Sequence, residues 1–271
     1  EIPPACEGGE PTPYFGACVV DSTTGAFRVG QFADTSQRLG LRTLLEKEDP
    51  AEIAYYSASG ALSKATASVL AHDAPPHRTL HTKVRLRSRG GDATAWSVAA
   101  AAGEARRVLE ERAADYFGGI SSAPGVLKDL VSGNDASCDA SLAALGCCFS
   151  VLQRALIDHE LASMKSFSAL ACPIPAAADV AAAAADQADA APSPAPGGAS
   201  RATQRLVMDA QTMRNLEILS TADGRKKGSL LDYVDSCKTP FGKRLLREWV
   251  ASPLYRIPDI EERLRRVDAA I

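Results

Sequence analysis

Tyr14-Phe15-Gly16-Ala17-Cys18-Val19-Val20, followed by Asp21-Ser22-Thr23-Thr24-Gly25 and then residues 26–32, is the stretch on which the fold turns. Residues 14–20 are apolar throughout, as expected of a strand buried on both faces. Asp21 to Gly25 is turn chemistry: short oxygen-bearing side chains that bond nearby N–H groups, then a glycine free to take positive φ. Residues 26–32 resume a strand, so the stretch reads as a β-hairpin.

Outward from the hairpin, strands and helices alternate. Asp34 or Thr35 can cap a helix carrying Leu41, Leu44 and Leu45, which stops before Pro50. Residues 52–56 read as a short strand, and residues 62–70 have helical spacing at Leu62, Thr66, Val69 and Leu70. Residues 79–86 alternate, with Leu80, Thr82, Val84 and Leu86 on one face and His81, Lys83 and Arg85 on the other, which predicts a half-exposed strand. An alanine-rich helix is expected over 97–115, with Arg107 and Glu111 spaced to pair. A largely buried helix is expected over 141–162, where Leu142, Leu145, Phe149, Leu152 and Leu156 step by three and four. Together these predict an α/β layer domain, a mixed sheet flanked by helices.

The next segment breaks that pattern. Nearly half of residues 171–200 are alanine, mixed with five prolines and a Gly197-Gly198 pair. Ordering such a segment costs about 1–2 kcal/mol per residue with little apolar burial in return, so it reads as a flexible tether. Charge changes sign across it, from 16 basic against 20 acidic side chains in residues 1–170 to 14 against 10 in residues 201–271. At 271 residues the chain has room for two domains.

Beyond the tether the rhythm is helical only. Residues 206–219 carry Leu206, Met213, Leu216 and Leu219, and residues 229–234 form a short helix. Thr239 caps a helix opened by Pro240, where a missing N–H costs nothing. That helix places Phe241, Leu245 and Trp249 on one side, with Leu246 and Val250 beside them, and Pro253 ends it. Ile257, Ile260, Leu264, Val267 and Ile271 continue the rhythm behind Pro258, with Asp259, Glu261 and Glu262 at the helix's positive end. A helix cut in mid-pattern suggests a piece of a longer protein.

Seven cysteines, an odd number with no C-x-x-C pair and mostly apolar neighbours, fit reduced thiols. No apolar run approaches the roughly 18 residues of a membrane span and Glu1-Ile2-Pro3-Pro4 is no signal peptide, so a soluble protein is expected.

The chemistry-bearing residues each have a plainer reading. No G-x-x-x-x-G-K-[ST] or G-x-G-x-x-G occurs, and Gly224-Arg225-Lys226-Lys227-Gly228 reads as a solvated loop. His72, His77 and His81 read as surface histidines, because Pro75-Pro76 interrupts them and no third ligand is evident. His159-Glu160 begins like a zincin helix, but Ser163 stands where the second histidine belongs. No G-x-S-x-G elbow exists, and Cys147-Cys148 in a buried helix reads as packing. Asp21 at a strand end resembles the start of two-metal nucleases, but Glu46, Glu48 and Asp115 are poorly placed to join it, and Asp21 reads as the turn's side-chain acceptor. Lys83, Arg85, Arg87 and Arg89, with Arg78 nearby, make a basic stripe that reads as a solvated strand edge. Lys243, Arg244 and Arg247 read as a solvated helix face. No catalytic, cofactor-binding or metal-ligating residue is therefore expected.

Two sets of residues also carry a resemblance. The hairpin through Gly30-Gln31-Phe32 is similar to the opening of the connector domain of MutS mismatch-repair proteins. Leu206-Val207-Met208-Asp209, Thr212 and Asn215-Leu216-Glu217-Ile218 resemble the entry to their lever domain. Leu230-Leu231-Asp232, the run Cys237-Lys238-Thr239-Pro240-Phe241-Gly242-Lys243-Arg244-Leu245-Leu246, Trp249, Pro253-Leu254 and Arg263-Leu264 are most similar to the branch of sixth eukaryotic homologues, the large subunit of the MutS-alpha heterodimer.

The resemblance implies a linker from an upstream mismatch-binding domain (1–12), a ribonuclease H-like connector (13–170), the Ala/Pro-rich tether (171–200) and the start of an all-α lever (201–271). It implies a non-catalytic segment that couples mismatched-DNA binding to an ATPase domain lying elsewhere. ATP and magnesium would then belong to the complete protein, which would be nuclear and not membrane-bound. Its implied partners are mismatched duplex DNA, a second MutS homologue and a MutL-type protein. Two alternatives stay open from the residues alone: a divergent ribonuclease H-like nuclease using Asp21, or a stand-alone nucleic-acid adapter using the basic strand and helix.

Overall fold

The computed structural model describes residues 13–58, 61–74, 78–85, 97–132, 138–170, 172–173 and 205–269. The chain divides into two units, Glu1–Cys172 and Pro173–Ile271. Nearly all of the tether predicted over 171–200, and the linker expected over 1–12, lie outside the described residues.

In the first unit the hairpin forms as the turn chemistry predicts. Strands β1 (Tyr14–Asp21) and β2 (Ala26–Ala33) pair antiparallel from Tyr14 opposite Ala33 to Asp21 opposite Ala26. Gly25 closes the turn at φ 67°, donating its N–H to Asp21 O at 2.8 Å. β5 (Phe167–Ala169) joins the other side of β2 in parallel, giving a mixed sheet ordered β1-β2-β5. β3 (Glu52–Tyr56) and β4 (Leu80–Val84) form a separate parallel pair.

Helix α1 (Leu39–Glu48) is capped by both expected residues. Asp34 accepts from the Gly40 and Leu41 N–H groups, and Thr35 Oγ1 accepts from that of Leu39. Helix α2 (Lys64–Asp73) follows Ser63, whose hydroxyl accepts from Thr66 N. These two helices and β3 enclose a small core of Leu45, Val69, Leu70 and Ala74.

The main core lies between the mixed sheet and four helices, α3 (Val98–Phe117), α4 (Gly125–Ser132), α5 (Asp139–Ala155) and α6 (Asp158–Ser163), with a short 3₁₀ turn at Ile120–Ser122. Small residues set the α3–α5 approach: a Cβ on Gly146 would lie 2.5 Å from the Ala105 Cβ. Phe27 stacks on Phe149 at 5.6 Å and on Phe167 at 4.5 Å, tying sheet to helix. Such offset aromatic pairs add stabilisation beyond their buried area.

Several expectations are corrected. β1 is not buried on both faces. Phe15, against Phe32, is its one buried residue, while α5 packs on the face of Gly16, Cys18 and Val20 and leaves them half-buried. In β4 the alternation holds only at Val84, while Leu80 is 61% exposed. The helix expected over 141–162 breaks into α5 and α6. Leu156 takes a left-handed φ of 60°, and the Ile157 N–H bonds back to Leu152 O. That turn sends Leu156 to solvent, 85% exposed, and packs Ile157 on the core.

Among its described residues the second unit is helical apart from one bridge, Arg205 to Leu254. The helix expected over 206–219 shortens to α7 (Ala210–Asn215). Asp209 starts it by accepting from Thr212 N, and Glu217 ends it at φ 48° while Ile218 N bonds to Met213 O. Ile218 and Leu219 are thereby buried with Met208, Met213 and Ala251, and Leu216 is left exposed. α8 (Leu230–Val234) is capped by Ser229 and α9 (Pro240–Ala251) by Thr239, whose hydroxyl accepts from Gly242 N. α10 (Ile257–Asp268) completes the unit.

Phe241, Leu245 and Trp249 do share one side of α9, as the spacing predicts, and that side is partly open among the described residues. Phe241 is 67% exposed, Leu245 is also exposed and Trp249 is half-buried. The amphipathic rhythm is present, but Phe241 and Leu245 stay open, and Trp249 is covered in part by Arg263 of α10.

Candidate functional site

Asp21 performs the turn role. Its carboxylate accepts from Thr23 N and Thr24 Oγ1, both at 2.9 Å. Burial alone would raise its pKa, but the Thr23 and Thr24 hydrogen bonds outweigh that and hold it below the ordinary carboxylate value. Glu48 forms a forked pair with Arg28, whose guanidinium projects from β2. Glu46 is half-buried on α1, and Asp115 lies exposed on α3. The structure does not bring these carboxylates together: among the described residues no group of three or more His, Cys, Asp or Glu could hold a metal ion. Two-metal phosphoryl chemistry needs such convergence.

The histidines are likewise dispersed. His81 Nε2 lies 2.6 Å from Ala74 O, His72 is exposed on α2, and His77 lies outside the described residues. His159 sits beside the Tyr116 ring at 6.4 Å, and Ser163 donates its hydroxyl to Glu160 O, so this short helix follows its own hydrogen bonding.

Of the basic stripe, Lys83 and Arg85 are exposed and Arg78 faces Asp49 at 3.7 Å, while Arg87 and Arg89 lie outside the described residues. Lys243 on α9 pairs with Asp235 at 3.4 Å, and Arg244 is exposed. The loop from Gly224 to Gly228 is a tight turn. Thr221 N bonds Arg225 O at 2.8 Å, and both glycines have positive φ.

Sequence reasoning missed three polar features. Arg38, 8% exposed, donates to Thr66 Oγ1, Ser63 Oγ and the Thr35 and Ser36 carbonyls, and lies over the Phe15 ring. The buried Tyr116 hydroxyl donates to Asp158 Oδ2 and accepts from Gln153 Nε2. Burial first, then the adjacent carboxylate, pushes its pKa up to about 12. In the second unit the Arg263 guanidinium lies 4.3 Å from the Trp249 ring centre, a cation–π contact joining α10 to α9. All three join residues distant in sequence, so no local motif announces them.

The site is thus defined by its architecture: an α/β unit in which Asp21 serves a turn and Glu48 an arginine pair, and a helical unit with a partly open apolar row. The helical unit supplies the first match to known proteins, since residues 211–271 fit the family model MutS domain III. The human DNA mismatch repair protein Msh6 is 34% identical over 273 residues, covering 95% of this chain and 18% of that protein. The yeast protein MSH6 from Saccharomyces cerevisiae is 26% identical over 261 residues, covering 96% of this chain and 18% of that protein. The DNA mismatch repair protein MutS of Chlorobium limicola is 50% identical over 64 residues, 23% of this chain and 7% of that protein. The chain belongs to the MutS family and is Msh6-like along nearly its whole length. It spans about a fifth of the length of the eukaryotic relatives it matches. The resemblance of residues 206–264 to MutS proteins of the Msh6 branch is borne out.

Proposed function

We propose that this chain is a non-catalytic segment of a DNA mismatch-recognition ATPase, coupling mismatch engagement to nucleotide state. In this reading residues 13–170 are a ribonuclease H-like connector, and residues 201–271 open an all-α lever. Mismatched duplex DNA, a second MutS homologue, a MutL-type protein, ATP with magnesium and nuclear residence belong to the complete protein.

The observation that carries the reading is the second unit. Residues 211–271 match MutS domain III, and Asp209, Ser229 and Thr239 cap α7, α8 and α9 while Phe241, Leu245, Ile257 and Leu264 remain exposed. Rows of this kind suit helices that continue into a longer bundle, and coupling between distant sites needs rigid elements with two arrangements. The turn-bound Asp21 supports the absence of bond-making in the first unit.

Two assays on the complete protein test this. Leu245→Asp is expected to leave basal ATP turnover intact but to reduce its stimulation by a mismatched duplex; unchanged stimulation overturns the lever assignment. Magnesium-dependent duplex cleavage that disappears in Asp21→Asn would instead establish the nuclease alternative.

A further inference from the structure

The outer edge of β4 takes no part in the coupling proposed above. Its pairing with β3 uses alternate residues: Leu80 N–H donates to Ala51 O, and Val84 O accepts from Ser57 N, both at 2.8 Å. In a parallel ladder each residue turns its N–H and C=O to one side, and the next residue turns its own to the other. Leu80, Thr82 and Val84 therefore bond towards β3, while the N–H and C=O groups of His81 and Lys83 point away from it. No described strand pairs on that side.

The side chains along this edge are sorted by face. Leu80, 61% exposed, shares the face of the buried Val84. His81 and Lys83 share the opposite face. The His81 ring meets Tyr55 at 6.2 Å and Ala74 O at 2.6 Å, whereas Lys83 is exposed and is followed by the exposed Arg85. The outer edge of β3 has no such charge, since Glu52-Ile53-Ala54-Tyr55-Tyr56 carries no cation.

We propose that the open edge of β4 docks an acidic extended peptide as an added strand. Aliphatic side chains of the peptide cover Leu80, and acidic ones alternating with them face Lys83 and Arg85. Main-chain hydrogen bonds to His81 and Lys83 supply the affinity, and the alternation supplies the specificity. Lysine on an open edge discourages pairing with a second basic strand, and the same charge attracts an acidic one. The backbone also favours a peptide over a nucleic acid. Phosphate oxygens only accept hydrogen bonds and leave the His81 and Lys83 carbonyls unbonded, whereas a strand serves both the N–H and the C=O groups.

The complete protein, titrated with a short fluorescein-labelled peptide of alternating valine and glutamate, tests the edge. A saturable rise in fluorescence anisotropy is expected, with slowed hydrogen exchange at the His81 and Lys83 amides. Lys83→Glu, a change at an exposed position, should weaken binding at least about tenfold. The same peptide N-methylated at alternate residues cannot extend the ladder and should not bind. No binding, binding without slower exchange at His81 and Lys83, or equal binding by the Lys83→Glu variant or by the N-methylated peptide overturns the proposal. Loss of duplex affinity in Lys83→Glu without any peptide binding also overturns it, and assigns the edge to nucleic acid.

Discussion

α5 and α9 are both amphipathic helices, yet they end in opposite states of burial. On α5, Leu142, Leu145 and Phe149 are at most 1% exposed, because α3 and the mixed sheet close over them. On α9, Phe241 and Leu245 keep about half or more of their surface, and Trp249 is covered in part by Arg263. Periodicity thus fixes which side of a helix is apolar, but only the other elements of the fold decide whether that side is closed.

The largest effect that would break this contrast is at Phe149, stacked between Phe27 and Tyr116 at 5.6 and 5.5 Å. Phe149→Ala should destabilise the first unit by about 3–5 kcal/mol, read as a lowered denaturant midpoint. A loss below about 1 kcal/mol would mean that the aromatic stack is not the centre of this core.

The same contrast explains what could be read from residues alone. Turns and caps are local, so the β1–β2 hairpin, the Asp34 and Thr35 caps and the Thr239-Pro240 start were all legible. Pairings that join distant segments were not: neither the parallel β2–β5 and β3–β4 ladders nor the Phe27–Phe149 stack has a short-range signature. The break at Leu156 was hidden because the apolar rhythm runs through it without the glycine usual at a left-handed helix end. Helix α4 did carry a signal, Leu127, Leu130 and Val131 at helical spacing and all buried, which was overlooked between two longer helices. At the candidate site, the structural use of Asp21 was legible because its Asx-type turn is local. The Tyr116–Asp158 pair was not, being 42 residues apart in sequence.

A smaller effect is expected at the α9 cap. Thr239→Ala removes the acceptor for Gly242 N and should cost about 1 kcal/mol, read by thermal melting of the second unit. A Thr239→Ser variant should recover most of it, which separates loss of the cap from loss of the methyl group.

Smaller still is the acid response of α7. The hydrogen bonds from Thr212 hold the Asp209 pKa below its ordinary value. A carboxylate lowered in the folded state contributes stability at pH above its unfolded value, and that contribution is lost as pH falls through the folded one. Acidification should therefore fray α7, and Asp209→Asn should flatten the response of the Thr212 amide in an NMR titration. An Asp209 carboxyl titrating at its unfolded value would remove this cap from the account.

The smallest effect in the 271-residue chain should come from Phe241→Ala, because a side chain 67% exposed has little burial to lose. A change within about 0.5 kcal/mol is expected there. In the complete protein the same substitution should cost several times more, since a row that closes against further helices converts Phe241 into a core residue. Equal effects in both settings would show that the open row stays open, leaving Phe241 and Leu245 as solvent-facing residues. The position where the sequence rhythm and the observed burial disagree most is thus also the one where comparing the segment with its parent is most informative.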